Sequence, residues 1–484
     1  MPCILHTMYT NLKFYDRLEE LSLLKKLTST GGFKFIVIYG RRRIGKTRLV
    51  QEFMTGKEYA YVFVPKDKTV DLFLDELSQS EKIPKFTAVQ DLLRYLFDTK
   101  KYIFFDEFQN FYYMEKSIYS DFQKLIDEYK HKAKNVSVLV SGSSFSMMKK
   151  ILGDYSYPLY GRADIMMKLP PMDISTVMQM LYDIGVKDIS ENIKFYAVFG
   201  GVPKYYEYID LLKTLDFENV INTMFFDQRM PVLKDEGKAV LISEFGGEYK
   251  IYFSILEAIA SGKTTVGEIA NIFEGKSGTA SRYLDILRNE YELVRRETPI
   301  TEDPRKSRLG VYRLNDNFLK FWFAFIKRYE SYYEQGRVDE LKKIFSQNYG
   351  AFIGGAFEDI SRDFCVKKNY AGSLPFRFDK IGRWWGNIPG EDGKKTLEID
   401  LVALNETSME SLFIECKWQE LKSSEARKIL DILKKKSRLV PWKVKDRVEY
   451  FGIIGKSIDD KEKLREKGYL VFDLGDFKSQ WTEY

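Results

Sequence analysis

Histidine is almost missing from this chain. Its 484 residues include two, His6 and His131, which excludes Ser-His-Asp triads, Cys-His nucleophile pairs and histidine-rich metal sites. The three cysteines, Cys3, Cys365 and Cys416, fit neither a disulfide framework nor a zinc ligand set, so a reducing cytoplasm is the expected setting. No run of 18 apolar residues occurs, and no membrane helix is expected. The start, MPCILHTMYT, lacks a basic region and a small-residue cleavage site, so no signal peptide is expected, and Met8 is an alternative start. Fixed-period repeats and low-complexity tracts are missing too. So is a strong charge bias: 76 basic against 70 acidic residues give +6. That excludes an acidic or histone-like protein while leaving room for a local nucleic-acid surface.

What is present is ample core material, with 44% hydrophobic and 30% charged residues. The length implies about two to four domains. Any chemistry must rest on carboxylates, lysine, hydroxyls, backbone amides and a hard metal ion.

Leu18, Leu21, Leu24 and Leu27 share one helical face within residues 14–28. The apolar runs 33–39, 101–105 and 136–140 read as buried strands separated by helices, the pattern of a parallel sheet. Residues 171–240 read as helical, broken at 200–203. Residues 251–314 read as three helices and two strands, and 317–349 as helical and aromatic-rich. From 350 a helix precedes strands near 397–404 and 411–417, then a basic helix and strands near 449–454 and 469–473.

Gly40-Arg41-Arg42-Arg43-Ile44-Gly45-Lys46-Thr47 has the spacing G-x-x-x-x-G-K-[ST] between a strand and a helix, the context of a P-loop. Its backbone amides and the helix N-terminus would cradle phosphates. Lys46 would reach the β- and γ-phosphates of ATP and Thr47 would bind Mg²⁺. Arg48 completes the candidate nucleotide-binding stretch. Asp106 and Glu107 end the second apolar strand. Asp106 is placed to bind Mg²⁺, and Glu107 to polarise the attacking water. Ser141, at the end of the third strand, is a candidate γ-phosphate sensor, with a Ser-rich turn or helix cap as the alternative. Arg162 is a candidate contact to phosphate or to a neighbouring subunit of a homo-oligomer, or else an exposed structural arginine. Arg41, Arg42 and Arg43 either pair with acidic residues or face a partner.

Phe14-Tyr15-Asp16-Arg17, YGRRRIGKTRL, FFDEFQN, SGSS, LYGR and GGVPKYY together resemble the archaeal ATPase family of AAA-like, STAND-related P-loop NTPases. The resemblance covers most of residues 14–206. It implies that Arg17 lies near the nucleotide base and that Gly201-Val202-Pro203 belongs to a helical lid. EYELVRRETPITEDPRKSRLGVYRLNDNFLKFWF resembles the segment that follows the ATPase module in that family.

Helices 251–260, 264–273 and 279–290 followed by two strands have the winged-helix plan, in which the third helix enters the major groove. Lys276, Arg282, Arg288, Arg305, Lys306 and Arg308 would meet phosphates. Residues 248–313 carry 11 basic and 10 acidic residues, a weak bias for a DNA reader. Packing against the nucleotide domain is the alternative role.

In Leu397-Glu398-Ile399-Asp400 and Ile414-Glu415-Cys416-Lys417, strand alternation puts Glu415 and Lys417 on one face. Asp400 on the neighbouring strand can join them. Two carboxylates would hold a hard cation, and Lys417 would position or activate water. Glu358, on the preceding helix, offers a third acid. The alternative is a cross-strand charge pair on a solvated face. Glu…Asp-x(14)-Glu-x-Lys resembles the PD-(D/E)XK nuclease superfamily, with Ile399 in place of the proline. That resemblance implies metal ligation by Glu358, Asp400 and Glu415 and a catalytic Lys417. Trp384 and Trp385 are candidates for base stacking or for the core. Residues 427–447 hold nine basic residues against two acidic ones, a candidate DNA-backbone surface or a solvated basic helix.

The expected architecture is a multidomain α/β protein. A P-loop parallel-sheet ATPase occupies 1–170, a helical lid 171–245, a winged helix 246–335 and a restriction-endonuclease-like domain 336–484. The expected function is ATP hydrolysis with Mg²⁺, coupled to nucleic-acid processing at Asp400, Glu415 and Lys417. DNA would bind through 427–447 and the winged helix. The rival is a STAND-like signalling or assembly switch whose C-terminal domain only binds DNA or protein.

Overall fold

A computed structural model describes residues 12–227, 232–387 and 396–481. Cys3, His6 and Met8 lie outside the described residues.

The N-terminal sheet has five parallel strands in the order β2-β3-β4-β1-β5. They are β1 (Lys34–Tyr39), β2 (Ala60–Phe63), β3 (Tyr102–Asp106), β4 (Ser137–Gly142) and β5 (Ile165–Lys168). Three of these were legible as apolar runs. β2 and β5 are four residues each and were not. The continuous apolar runs reflect burial on both faces. Phe35 and Val37 of β1 join Ile103, Phe105, Val138 and Val140 in one core. Ile36 and Ile38 join Phe104 and Leu139 in the other. That second core runs on through the helices after residue 173 as far as Phe345, so the sheet and the following helices share one apolar interior.

Helices Ile174–Asp183, Ile189–Phe199, Pro203–Leu212 and Glu236–Phe245 follow. Helices Tyr249–Ala260, Val266–Ala270 and Ser277–Asn289 then lead into the antiparallel pair β6 (Val294–Glu297) and β7 (Val311–Leu314). The stretch read as helical over 317–349 consists of several segments. A short helix, Asn317–Phe321, widens into a π-type turn at Trp322–Ile326, and a new helix, Val338–Tyr370, begins beyond Gly336.

The C-terminal sheet has the order β12-β11-β10-β9-β8, with β8 (Lys380–Asn387), β9 (Thr396–Asn405), β10 (Glu410–Leu421), β11 (Val448–Ile458) and β12 (Leu470–Phe472). β8, β9 and β10 are antiparallel neighbours, whereas β10–β11 and β11–β12 are parallel. Leu412, Ile414 and Cys416 share one core with Phe357 and Phe364 of helix Val338–Tyr370, and the same core takes in Ile174 and Ala197 of the helices after the first sheet. On the opposite face Phe413 packs with Leu433 of helix Ser423–Ser437. Trp384 belongs to that core at 3% exposure, which removes it as a stacking platform. Cys365 and Cys416 are buried free thiols; burial pushes Cys365 up to about 12, so both act as apolar packing. Among the described residues no helix is long and apolar enough to cross a membrane.

Candidate nucleotide site and carboxylate–lysine site

The first site forms where β1 ends. Gly40 passes so close to the 169 carbonyl that a Cβ there would lie 2.7 Å from Leu169 O. Gly45, at φ 94°, caps helix Lys46–Met54 in a left-handed conformation that favours glycine. Between them the loop folds back on Lys46, whose Nζ donates to Gly40 O at 3.0 Å and Arg41 O at 3.1 Å. Burial pulls the Lys46 ammonium below its ordinary range, opposed by Glu107, Asp106 and Glu244.

Thr47 Oγ1 donates to Asp106 Oδ2 at 2.8 Å, and Tyr61 of β2 donates to the same oxygen at 3.3 Å. Ser141 of β4 bonds the other Asp106 oxygen. Ser141 therefore orients the acid that faces Thr47. Glu107 stands at φ 57°, a strained backbone of the kind that clusters at functional sites. Its Oε2 accepts from Ser143 Oγ and from Gln109 Nε2, both at 2.6 Å. Ser143 and Gln109 were not singled out by sequence, although Ser143 lies two residues past the one that was.

The P-loop arginines pair with acids far along the chain. Arg41 is bonded to Asp316 and lies 6.0 Å from the Phe318 ring centroid. Arg43 is 3.0 Å from Glu236 and lies over Tyr208. Arg42 and Arg48 are exposed. Arg17, 4% exposed, donates to Pro170 O at 2.5 Å and to Glu20 at 3.1 Å, tying the start of helix Leu18–Ser29 to the segment after β5. Arg162 forks onto Asp127 at 3.0–3.2 Å within the same domain, the structural alternative for that residue.

One acid arrives from outside the domain. Glu244, near the end of helix Glu236–Phe245, leaves a buried oxygen without a hydrogen-bond partner. Burial pushes its carboxyl up to about 7, with Lys46, the Phe145 amide and Arg41 opposing and Glu107 adding. A raised carboxyl favours the fold in its protonated form, so its contribution is present below the ordinary carboxylate range and fades as pH rises through about 7. Glu244→Gln should therefore raise stability at pH 8 by about 1–3 kcal/mol and leave it unchanged near pH 4. Urea midpoints at the two pH values check this, and equal midpoints at pH 8 contradict it.

The second site lies between the C-terminal sheet and helix Ser423–Ser437. Asp400 Oδ2 accepts from the Cys416 amide at 2.8 Å and from Lys417 Nζ at 3.1 Å. Lys417 Nζ also donates to Glu415 Oε2 at 2.8 Å. Lys436, from the helix, donates to Glu415 Oε1 at 2.7 Å and to Glu398 O at 2.8 Å. Burial and the nearby Asp400 raise Glu415, against Lys417. The Lys417 ammonium is raised, as Asp400 and Glu415 outweigh its burial.

Glu358 does not join this cluster directly, because Arg383 claims its carboxylate. Burial pushes Glu358 up to about 7, opposed by Arg383 and reinforced by Asp400 and Glu398. Among the described residues no three acidic, cysteine or histidine groups converge as a metal cage. The ammonium of Lys417 nevertheless marks a point where one cation sits between two carboxylates, and that oxygen-only pair suits a hard divalent ion.

The basic stretch divides. Arg427, Lys428, Lys435, Arg438, Lys443 and Lys445 are exposed. Arg447 is not available: its side chain is 1% exposed and donates to the carbonyls of Ser437, Val440 and Trp442.

Ion pairs interrupted by one short helix lead from the first site toward the second. Asp316, the partner of Arg41, caps helix Asn317–Phe321 by accepting the Leu319 amide at 2.8 Å. Lys320 on that helix lies 3.3 Å from Asp359, which accepts Arg295 at 2.7 and 2.8 Å. Arg295 donates to Glu297 at 2.7 Å. Arg383 stands 3.7 Å from Glu297 and 3.4 Å from Glu398 while holding Glu358. The loop between β6 and β7 is docked as well, with the Ile300 amide donating to Arg383 O at 2.9 Å.

Residues 14–209 match an ATPase domain predominantly from Archaea, and residues 322–429 match archaeal and bacterial proteins of unknown function. An uncharacterized protein of Methanocaldococcus jannaschii is 36% identical over 470 residues, covering 96% of this chain and 100% of that protein. An uncharacterized ATP-binding protein of the same organism is 39% identical over 51 residues, covering 10% of this chain and 86% of that protein. The Walker-type ATPase of Pyrococcus abyssi aligns with 64% of this chain and 96% of its own at 18% identity and TM-score 0.49. The ORC2 protein of Aeropyrum pernix, solved as ADPNP–ADP complexes, aligns with 70% and 97% at 14% identity and TM-score 0.44. Since the P-loop, Asp106, Glu107 and the helices after them all fall inside the matched ATPase segment, and the long relative aligns nearly end to end, the chain belongs to the archaeal ATPase family.

Proposed function

We propose that the protein binds and hydrolyses ATP at the P-loop, and that its nucleotide state governs a metal-dependent, nucleic-acid-cleaving site at Asp400, Glu415 and Lys417. The observation that carries this reading is the series of ion pairs from Arg41 to Glu398, joined across Asp316 and Lys320 by helix Asn317–Phe321 and ending at the Glu398 carbonyl that Lys436 bonds. Lys46 now bonds its own loop. To reach phosphate it must leave Gly40 O and Arg41 O, and the loop that carries Arg41 must reshape. Arg41 cannot shift without loading Asp316 and the helix it caps. Thr47 and Asp106 are the residues that would hold Mg²⁺ with the nucleotide. Glu107, oriented by Ser143 and Gln109, accepts the proton of the attacking water.

The unit 249–314 is read as a winged helix whose wing is turned inward. Ile300 on Arg383, and Arg313 3.8 Å from Glu398, support a docking role for the wing. The exposed Lys276 and Arg282 leave the start of the third helix open to DNA. The C-terminal domain is read as restriction-endonuclease-like. Its exposed lysines and arginines from Arg427 to Lys445 would follow a phosphate backbone. A hard divalent ion held by Asp400 and Glu415 would supply charge stabilisation at a phosphodiester.

The test is cleavage of plasmid and branched DNA in Mg²⁺ or Mn²⁺, without nucleotide and with ATP. Wild type should cut in one nucleotide state and Asp400→Ala in none. Absence of cutting in every state, or cutting unchanged in Asp400→Ala, overturns the nuclease reading. One observation favours the rival switch: Lys417 and Lys436 already neutralise both carboxylates. On that reading ATP changes the oligomeric state without DNA cleavage, which sedimentation velocity with and without ATP would detect.

A further inference from the structure

Lys436 stands in the basic stretch that the sequence assigns to a phosphate-facing surface, but it is turned inward. Its Nζ lies 2.7 Å from Glu415 Oε1 and 2.8 Å from Glu398 O, with the side chain 20% exposed. Its neighbour Lys435 is exposed. Glu415, 6% exposed at its side chain, therefore has a separate ammonium on each oxygen: Lys417 from its own strand and Lys436 from the helix. Lys417 is shared with Asp400. Two carboxylates and two ammonium groups make a neutral cluster.

Charge balance of this kind has a definite consequence for cation binding. A divalent ion gains from two carboxylates only if their charge is not already matched. Each ammonium in contact with a ligand carboxylate repels the ion at short range in a partly buried site, where screening is weak. Lys417 occupies the point between the acids and must leave it for the ion to enter. Lys436 lies on the far oxygen of Glu415 and remains as a standing opposing charge. An anionic phosphodiester arriving along Arg427, Lys428 and Lys435 reverses the balance, because it offers both lysines a partner outside the cluster.

We infer that Lys436 is an internal counter-ion that keeps metal affinity low until a phosphodiester is present, so that this site takes up metal and nucleic acid together. The inference rests on the metal-dependent reading of Asp400 and Glu415. It makes Lys436 a positioning residue for loading order rather than one more contact on the DNA surface.

The test is Mn²⁺ binding by the full chain without nucleotide, followed by the electron paramagnetic resonance signal of free Mn²⁺. It is run with and without a phosphorothioate DNA duplex that resists cleavage. Binding at this site is the fraction lost in Asp400→Ala. Wild type should bind weakly alone and at least tenfold more tightly with duplex. Lys436→Met should bind at least tenfold more tightly than wild type without duplex and show little further gain with it. Lys436→Arg, which keeps the charge, should behave as wild type. Circular dichroism melts confirm that each variant is folded. If Lys436→Met does not fold, Lys436→Gln takes its place, and the wild-type and Lys436→Arg gains with duplex still decide the outcome. Equal Mn²⁺ affinity in wild type and Lys436→Met, or no gain with duplex in wild type, overturns the inference. Mn²⁺ binding identical in wild type and Asp400→Ala overturns instead the metal-site reading beneath it.

Discussion

Lys46→Ala should lose nucleotide affinity by on the order of 10²–10³-fold, whereas Glu107→Gln should keep affinity and lose turnover by about 10²–10⁴-fold. The two effects separate because the residues occupy different parts of the site. Lys46 is the buried cation at the mouth of the loop, and its present partners are the Gly40 and Arg41 carbonyls. On the proposed reading those contacts would be exchanged for charge-assisted bonds to phosphate, so alanine would remove binding energy directly. Glu107 makes no bond to Lys46 or Thr47. Its carboxylate is held by Ser143 and Gln109 at 2.6 Å, near enough for its charge to act on Lys46 but bonded elsewhere. Glutamine keeps the shape and cannot take a proton. Fluorescent-nucleotide titration and phosphate release distinguish the two variants. Retained hydrolysis in both would contradict the assignment.

Asp359→Ala should be the most destabilising truncation of a buried acid in the chain, by about 3 kcal/mol or more. Asp359 accepts Arg295 at two oxygens and pairs with Lys320. Burial alone would push its carboxyl up, but Lys320, Arg295 and Arg362 outweigh it and hold the group well below the usual range. A depressed carboxyl stabilises the fold at neutral pH, and that contribution is lost as pH falls toward its folded value. Alanine strands two cations that have left bulk water. The cost should shrink in Arg295→Met/Lys320→Met/Asp359→Leu, which removes the whole group. The thermal melting point of each variant at pH 7, 4 and 2 checks both claims: the single-site loss should be nearly intact at pH 4 and largely gone at pH 2, because the contribution fades only between the ordinary carboxylate value and the much lower folded one. A single-site loss that persists unchanged at pH 2, or in the apolar triple variant, contradicts them.

Which features the sequence revealed follows from how far apart their parts lie. The P-loop is legible because eight adjacent residues do its work, and a strand before it and a helix after it confirm the context. Asp106 and Glu107 are legible because they terminate an apolar run. Asp400, Glu415 and Lys417 are legible because alternation along β10 fixes which side chains share a face. The short strands β2 and β5 carry too few residues to form a pattern. Ser141 was the hydroxyl chosen at the end of β4, but register places it on Asp106 and gives Glu107 to Ser143.

The links between sites are another matter. Arg41 and Asp316 are 275 residues apart and Lys436 and Glu415 are 21 apart. Each pairing depends on the packing and rotation of helices, which periodicity does not specify. Glu358 shows the same limit from the other side. Its helix position was read correctly, but the strand that brings Arg383 against it was not, so its capture by Arg383 was invisible. The stretch from Arg427 to Arg447 reads in sequence as one basic surface. In the fold, Lys436 and Arg447 are drawn inward, and the remaining exposed residues form a smaller surface.

If the P-loop is coupled to the carboxylate–lysine site through the contacts between Arg41 and Glu398, nucleotide bound at one end should be felt at the other. Hydrogen–deuterium exchange with and without a non-hydrolysable ATP analogue reads this out. The analogue should change exchange not only at residues 40–47 but also at 294–300 and 380–387. The distant changes should vanish in Lys46→Ala and be blunted in Asp316→Ala. Changes confined to the P-loop and the helices around it, with 294–300 and 380–387 unaltered in the wild type, would contradict this coupling.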